Sequence, residues 1–254
     1  MAKILAIANQ KGGVGKTTTS VNLAACLGAK QKQRVLLVDC DPQGNATSGF
    51  GIQKSELDAT IYDLLIRGRK VAGVVQHTEF CVDVVPANIE LAGAEVELVA
   101  AISRETRLKK ALDDVRDDYD FILIDCPPSL GLLTLNALAA ADAVLMPIQC
   151  EFYALEGVAQ LMNTVQLVRD NLNPDLQVEG VVMTMYDSRT KLAQDVVGEV
   201  QKNFGDIVYH TMIPRNVRLS EAPSYGQPII YYDKNSAGAR VYKELAREVL
   251  KREQ

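Results

Sequence analysis

Residues 9–18 read NQKGGVGKTT, a glycine-rich turn that directly follows the apolar run 4–8. Glycine has no Cβ, so the backbone of such a turn can fold tightly and point its N–H groups at a bound anion. A helix that begins near Lys16 would add its positive end at the same place. The order of apolar strand, glycine-rich loop and helix therefore predicts a cradle for the phosphates of a nucleotide.

The side chains of this loop suit the same chemistry. Lys16 would neutralise the β- and γ-phosphates, and the Thr17 hydroxyl would bind Mg²⁺. The general pattern GxxxxGK[ST] requires glycine at position 10, where this chain has Gln10, and a second lysine, Lys11, precedes the glycine pair. The predicted nucleotide contacts are Lys11, Gly12, Gly13, Val14, Gly15, Lys16, Thr17 and Thr18.

Two later apolar runs, 34–39 and 121–125, end in aspartate. Open α/β sheets bind ligands at the carboxyl ends of their strands, so we expect these acids beside the loop. Asp41 is the first choice for orienting an attacking water, and Asp125 would hold Mg²⁺ through water. Strand alternation would place Asp39 and Asp41 on one side, one of them accepting loop hydrogen bonds. For a single aspartate of this kind a helix-cap or turn role would be favoured, but three motifs in this order favour a site.

Strand-like runs alternate with segments of helical periodicity, which predicts an α/β fold with a doubly wound, mostly parallel sheet flanked by helices. With 254 residues, 48% of them hydrophobic, one domain over 1–254 is expected. Residues 44–80 are expected to form an excursion of loops and short helices. The predicted strands are 4–9, 34–39, 121–125, 143–148 and 178–184, and the predicted helices are 16–29, 104–116, 153–170 and 190–203.

Composition restricts the function further. The chain starts with the strand itself, without a leader-like segment, and no apolar run reaches the ~18 residues of a membrane span, so a cytoplasmic protein is expected. The five cysteines form no CxxC pair and are expected to be reduced core thiols. A net charge of −5 argues against a generally basic nucleic-acid binder. From residue 189 onward, however, the sequence has 11 Lys and Arg but 8 Asp and Glu. This excess of positive charge is compatible with a local basic face.

Taken together, the motifs resemble those of the ParA/Soj family of chromosome-partitioning ATPases, a deviant Walker A branch of the P-loop proteins in the MinD/ParA superfamily. The segments that carry the resemblance are 9–23, 38–47, 124–128 and 214–226. The resemblance implies ATP and Mg²⁺ as cofactors and a homodimer that forms with ATP and binds nonspecific double-stranded DNA. It also implies slow hydrolysis stimulated by a ParB-type partner, location on the nucleoid, and the replication initiator as a further candidate partner.

The family pattern assigns roles to particular residues of this sequence. Lys11 would reach the phosphates of the partner subunit's ATP, and Asp41 would serve hydrolysis beside Lys16. Pro214 and Asn216 would contact adenine, with ordinary turn residues as the alternative interpretation. The resemblance also marks Arg189 and Arg218 as DNA contacts, although Arg189 could equally be a solvated charge at a helix start.

The same superfamily includes proteins with other functions. A membrane-associated positioning ATPase of the MinD type would need a basic, strongly apolar tail, whereas the stripe 241–250 has a polar face of mixed charge and is expected to dock on the sheet. A redox enzyme like the nitrogenase iron protein would need paired cysteines, and Cys126 lacks that setting. We find no substrate signature of a ligase or synthetase, and no N-terminal helix-turn-helix extension for operator binding is expected.

Overall fold

The structure, a computed structural model, describes residues 1–151 and 154–253. In this part of the chain seven strands form one sheet: β1 (Lys3–Ile7), β2 (Val35–Asp39), β3 (Gln76–His77), β4 (Asp83–Val85), β5 (Phe121–Asp125), β6 (Ala143–Gln149) and β7 (Gln177–Thr184). The α-helices are α1 (Lys16–Gln31), α2 (Asn45–Gly49), α3 (Ile61–Leu65), α4 (Leu91–Leu98), α5 (Arg107–Asp113), α6 (Leu132–Ala140), α7 (Ala154–Asn171), α8 (Lys191–Phe204), α9 (Val217–Glu221), α10 (Ile229–Tyr232) and α11 (Ala237–Arg252).

The strands lie in the order β3-β4-β2-β5-β1-β6-β7, and every neighbouring pair is parallel except β3 with β4. β2 and β5 are buried at every residue, which explains their unbroken Val, Leu and Ile runs. Asp125 lies opposite both Ile7 of β1 and Asp39 of β2. The carboxyl ends of the three central strands are therefore level, and the segments that follow them meet at one edge.

Helices cover both faces of this sheet. One apolar core joins the sheet to α3–α8, and the other joins it to α1, α10 and α11. The predicted doubly wound, mostly parallel sheet is confirmed. In α11, Tyr242, Leu245 and Val249 are buried, and the Tyr242 hydroxyl lies 3.2 Å from Thr19 Oγ1 in α1. The last helix is thus docked against α1 and the sheet, as the mixed charge of its polar face predicts.

The predicted strands and most predicted helices lie within a few residues of the observed ones. The helix predicted at 104–116 is shorter, because only 107–113 are helical. Residue 153, where another helix was predicted to begin, lies outside the described residues. β4 and α4 were not predicted: β4 has three residues, too few for an alternation pattern, and α4 exposes Val96 among its apolar residues.

Gly28 of α1 allows the chain at Cys81 to approach closely. A Cβ on Gly28 would stand 2.2 Å from the Cys81 carbonyl oxygen, so backbone would have to move. We expect Gly28→Ala to lower the free energy of unfolding by about 1–3 kcal/mol, measured by urea denaturation. Gly198 of α8 is the matched control, since a Cβ there meets no atom within 4 Å, and Gly198→Ala should gain about 0.5–1 kcal/mol. Wild-type stability of Gly28→Ala would contradict the close approach.

Candidate functional site

The loop between β1 and α1 curves around open space. Gly13 and Gly15 have φ of +76° and +88°, the left-handed region in which glycine is favoured. A Cβ on Gly12 or Gly13 would meet no atom within 4 Å. α1 begins at Lys16, as predicted. The loop therefore has free space beside its glycine pair, where a phosphate chain would lie.

Lys16 is the buried cation of this loop. It is 6% exposed, and its Nζ donates a hydrogen bond to the carbonyl oxygen of Lys11 at 3.1 Å. Burial lowers the pKa of the Lys16 ammonium, and the carboxylates of Asp125 and Asp41 act in the opposite direction. A buried cation is stable only with counter-charge close by. Phosphate oxygens at the open side of the loop would add to the charge of these two carboxylates.

The oxygens suited to a magnesium ion lie beneath the loop. Thr17 Oγ1 donates to Asp125 Oδ2 at 2.8 Å, and Ser20 Oγ donates to Asp125 Oδ1 at 2.7 Å. Asp125 is fully buried, and this burial, followed by the neighbouring Asp39, raises its pKa. Hydroxyl and carboxylate oxygens are ligands that Mg²⁺ prefers. The structure brings Thr17 and Asp125 together as predicted, and adds Ser20, one helical turn after Thr17.

Asp39 and Asp41 have different environments. β2 ends at Asp39, so Asp41 lies beyond the strand, and strand alternation does not decide whether the two carboxylates share a side. Asp39 Oδ2 accepts hydrogen bonds from the Thr47 N–H and Oγ1, both at 2.7 Å, and its Oδ1 accepts from the Asp41 N–H at 3.2 Å. Asp39 therefore holds the loop, which was one of the two predicted roles.

Asp41 keeps a carboxylate oxygen available. Its Oδ1 accepts a hydrogen bond from the Gln43 N–H at 2.9 Å, whereas its Oδ2 has no hydrogen-bond partner within residues 1–151 and 154–253. The residue is 9% exposed and close enough to Lys16 to act on its pKa. A carboxylate in that position can orient a water at the phosphate end of the loop.

Lys11 is paired within its own chain. Its Nζ lies 3.1 Å from Glu151 Oε2, and its backbone N–H donates to Asn9 Oδ1 at 3.0 Å. Glu151 also accepts from Gln149 Nε2 at 2.5 Å and lies 3.4 Å from an Arg215 nitrogen. Sequence reasoning missed Glu151, because an acid just after β6 belongs to no recognisable pattern. Any reach of Lys11 towards another subunit requires it to leave this carboxylate.

A cavity of about 480 Å³ opens beside the phosphate loop. Tyr186 pairs with Pro214 in an isolated bridge, which sets the segment after β7 against the segment before α9. Asn216 is the N-cap of α9: its Oδ1 accepts from the Leu219 N–H at 3.3 Å, which leaves its amide NH₂ for another partner. The residues that line the cavity include Gly15, Thr18, Thr184, Met185, Pro214, Asn216 and Tyr242.

This cavity has the size and lining of a site for a flat ring. Pro214 and Asn216 lie together at it, but adenine contact by either stays a prediction. One contributor was not foreseen: Tyr242 comes from α11, far along the chain. Thr184 Oγ1 donates to the Val14 carbonyl at 2.7 Å, tying β7 to the loop.

Arg189 and Arg218 are exposed, and each already has a carboxylate. Arg189 donates to both oxygens of Asp187, at 2.9 and 2.7 Å, and thereby lowers the pKa of Asp187 to about 2. Arg218 lies 2.8 Å from Glu221 and 3.6 Å from Asp233. The two arginines thus lie on neighbouring segments, which the bridge between Tyr186 and Pro214 joins. Each of them forms an ion pair with carboxylates of its own chain. DNA phosphate would have to replace these carboxylates.

Of the cysteines, four are buried and Cys81 is exposed, and all five are free thiols. The prediction of core thiols thus holds for all except Cys81. None of the helices described here is long and apolar enough to cross a membrane.

Comparison with known proteins gives consistent matches over the chain. Residues 2–178 match the family model described as an AAA domain. The sporulation initiation inhibitor protein Soj of Bacillus subtilis is 62% identical over 250 residues, 98% of each chain. The chromosome-partitioning ATPase Soj of Treponema pallidum is 54% identical over 257 residues, 100% of this chain and 99% of the other. A solved structure of cobyrinic acid a,c-diamide synthase from Mycobacterium smegmatis with bound ADP and magnesium is 40% identical, with a TM-score of 0.87, covering 99% of this chain and 95% of that one.

Proposed function

Because this chain belongs to the ParA/Soj family of chromosome-partitioning ATPases, we propose that it is a switch in which an ATP-bound sandwich dimer holds nonspecific DNA and hydrolysis releases it. The chain is an ATPase with a partitioning role, and ATP and Mg²⁺ are its cofactors. The observation that carries the dimer proposal is a second, half-exposed lysine, Lys11, on the rim of an open phosphate loop.

The residues of the loop fit these cofactors. Lys16 and the N–H groups from Gly12 to Thr18 would hold the phosphates of ATP, and Thr17 with Asp125 would hold Mg²⁺, the acid through water. When bound, the metal supplies charge neutralisation at the phosphates. Pro214 and Asn216 would contact adenine in the cavity beside the loop.

The proposed cycle of ATP binding and hydrolysis is based on the positions of the charged side chains around the loop. Lys11 leaves Glu151 and meets the partner's phosphates across the interface, while Asp41 orients a water in its own subunit. Two lysines are the cations of the phosphate end, so intrinsic hydrolysis should be weak and await a stimulating partner of the ParB type. The switch would consist of one domain over 1–254. It would act in the cytoplasm, on the nucleoid, and the replication initiator would be a further partner.

Removal of the Asp41 carboxylate tests the hydrolytic part of this proposal. We expect Asp41→Ala to bind ATP, to lose about 100-fold in hydrolysis rate and to accumulate as the ATP-bound dimer, because water positioning is lost while the loop is intact. Light scattering after gel filtration in ATP measures the dimer, and phosphate release measures the rate.

Asp41→Asn separates that role from loop structure, since it keeps an oxygen to accept the Gln43 N–H. Both variants should behave alike, and the exposed Asp58→Ala should match wild type. Normal hydrolysis by Asp41→Asn, or only monomer from Asp41→Ala in ATP, would contradict the assignment.

A bulky residue at position 12 tests the sandwich. Within the subunit, a Cβ on Gly12 meets nothing within 4 Å, so Gly12→Val should fold and bind ATP normally. In the dimer two such loops would approach each other, and we expect the variant to stay monomeric in ATP at concentrations where wild type dimerises. Gly198→Val, which adds the same bulk to the surface of α8, is the control. An ATP-dependent dimer of Gly12→Val would reject the close approach of the two loops.

Two alternatives are less well supported. A membrane-associated positioning ATPase of the MinD type would need a free apolar face on the last helix, yet the apolar side chains of α11 are buried against α1 and the sheet. A synthase activity is suggested by one similar structure at 40% identity, below the 62% shared with the Bacillus subtilis Soj protein.

A further inference from the structure

A groove of about 730 Å³ lies on the helical face of the sheet that does not carry α1. One wall is the segment 66–70 after α3, and the other is α5 with the turn before it. Apolar side chains form its floor, and Ile102 stands 88% exposed at its rim. We call this feature the basic groove, lined by Leu64, Leu65, Ile66, Arg67, Arg69, Lys70, Ile102, Thr106, Arg107, Lys110, Ala111 and Asp114.

The basic groove concentrates positive charge on an acidic protein. Five of its lining residues are Lys or Arg and one is Asp, whereas the whole chain has a net charge of −5. Arg67 is paired with the buried Asp63 at 2.7 Å, and Lys70 lies 3.7 Å from Asp114. The other three cations that line the groove form no ion pair within residues 1–151 and 154–253.

These three cations, Arg69, Arg107 and Lys110, differ in their contacts. Arg107 donates to the carbonyl oxygen of Leu65 at 2.6 Å, which fixes it between the two walls. Arg69 and Lys110 are exposed and form no ion pair within the residues the structure describes. Exposed like charges facing one another across a groove repel each other, and an anionic ligand relieves this repulsion.

We propose that the basic groove binds an acidic segment of a partner protein, with aliphatic side chains between its carboxylates. The five cations are divided between both walls, three on the segment after α3 and two on α5, which suits several spaced carboxylates better than one small anion. An apolar floor offers no charged or hydrogen-bonding group to a nucleic-acid backbone, whereas Leu or Ile side chains can pack against it. Cationic rim and apolar floor together match an acidic amphipathic peptide. The site is independent of the nucleotide loop.

The test measures fluorescence anisotropy of a labelled synthetic peptide of alternating Glu and Leu with the full chain, at several salt concentrations. A peptide of equal charge with Ser in place of Leu is the ligand control. We expect the Glu/Leu peptide to bind more tightly and to lose about tenfold in affinity with the double variant Arg69→Glu, Lys110→Glu. Arg34→Glu, on an exposed arginine that does not line the groove, should change nothing, and ATP hydrolysis should be normal in all variants.

Three results would overturn the proposal. Equal affinity for the Leu and Ser peptides would mean that the floor takes no part. Undiminished binding by the double variant would place the peptide elsewhere. Displacement of the peptide by random duplex DNA, together with loss of DNA affinity in the double variant, would make the groove a nucleic-acid surface.

Discussion

Lys16→Ala should abolish detectable nucleotide binding. Lys16 is the buried ammonium of the phosphate loop, and its Nζ donates to the Lys11 carbonyl oxygen at 3.1 Å, next to the glycine pair 12–13. Hydrogen bonds to charged groups contribute about 1.5–3 kcal/mol each, and loss of a buried cation that contacts two phosphates should weaken ATP binding at least about 100-fold. Isothermal titration with Mg²⁺ and ATP measures the change.

Lys30→Ala is the matched control, because it removes an exposed lysine from the other end of the same helix. It should bind ATP like wild type. Circular dichroism of Lys16→Ala without nucleotide excludes simple unfolding. Wild-type ATP affinity in a folded Lys16→Ala would remove the phosphate site from this loop.

The sequence predicts the centre of the fold better than its periphery. β1, β2 and β5 are buried on both faces, so their apolar runs are long and carry a clear signal. β4 has three residues and owes its place to pairing with β2, a long-range contact that no local pattern encodes. The same holds for α4, whose apolar residues are partly exposed.

The residues of the candidate site differ in the same way in how well the sequence predicts them. Lys16, Thr17 and Asp125 come from motifs in which residue type and spacing express the chemistry, and the structure brings them together. Glu151 and Tyr242 reach the site only through tertiary packing, and each is a residue type common everywhere. The hydrolytic role of Asp41 rests on the family resemblance and stays a prediction, because β2 ends two residues before it and strand alternation gives no guide there.

The position of Glu151 also has a consequence for the proposed dimer. Lys11 is held in its own subunit by a carboxylate that Arg215 and Gln149 share. Leaving that pair costs the subunit an ion pair that is partly exposed, and such pairs contribute only about 1 kcal/mol or less. Contact of Lys11 with the partner's phosphates would readily exceed this cost, so the exchange can follow ATP binding.

Charge reversal at Arg189 or Arg218 should abolish or greatly weaken ATP-dependent binding to random duplex DNA and leave ATP binding intact. Both arginines are exposed, with 87% and 54% of their side chains accessible, on two segments that the pairing of Tyr186 with Pro214 holds side by side. A dimer would present four of these guanidinium groups. Since Arg189→Glu also leaves Asp187 unpaired, the variant places two acids where phosphate should bind.

Salt titration in ATP gives the decisive measurement. Each phosphate contact contributes roughly −0.9 to the slope of log affinity against log salt, so four arginines predict a slope of about −3 to −4. Each variant removes two arginines from the dimer, so its slope should be smaller in magnitude by about 2. Arg34→Glu is the matched control, because Arg34 is also exposed and paired with one carboxylate, Asp120, but precedes β2 at the opposite edge of the sheet. It should keep wild-type affinity and slope. Phosphate contact carries no sequence information, so unrelated duplexes should compete equally. Unchanged affinity and slope in both arginine variants would place the DNA surface elsewhere on the protein.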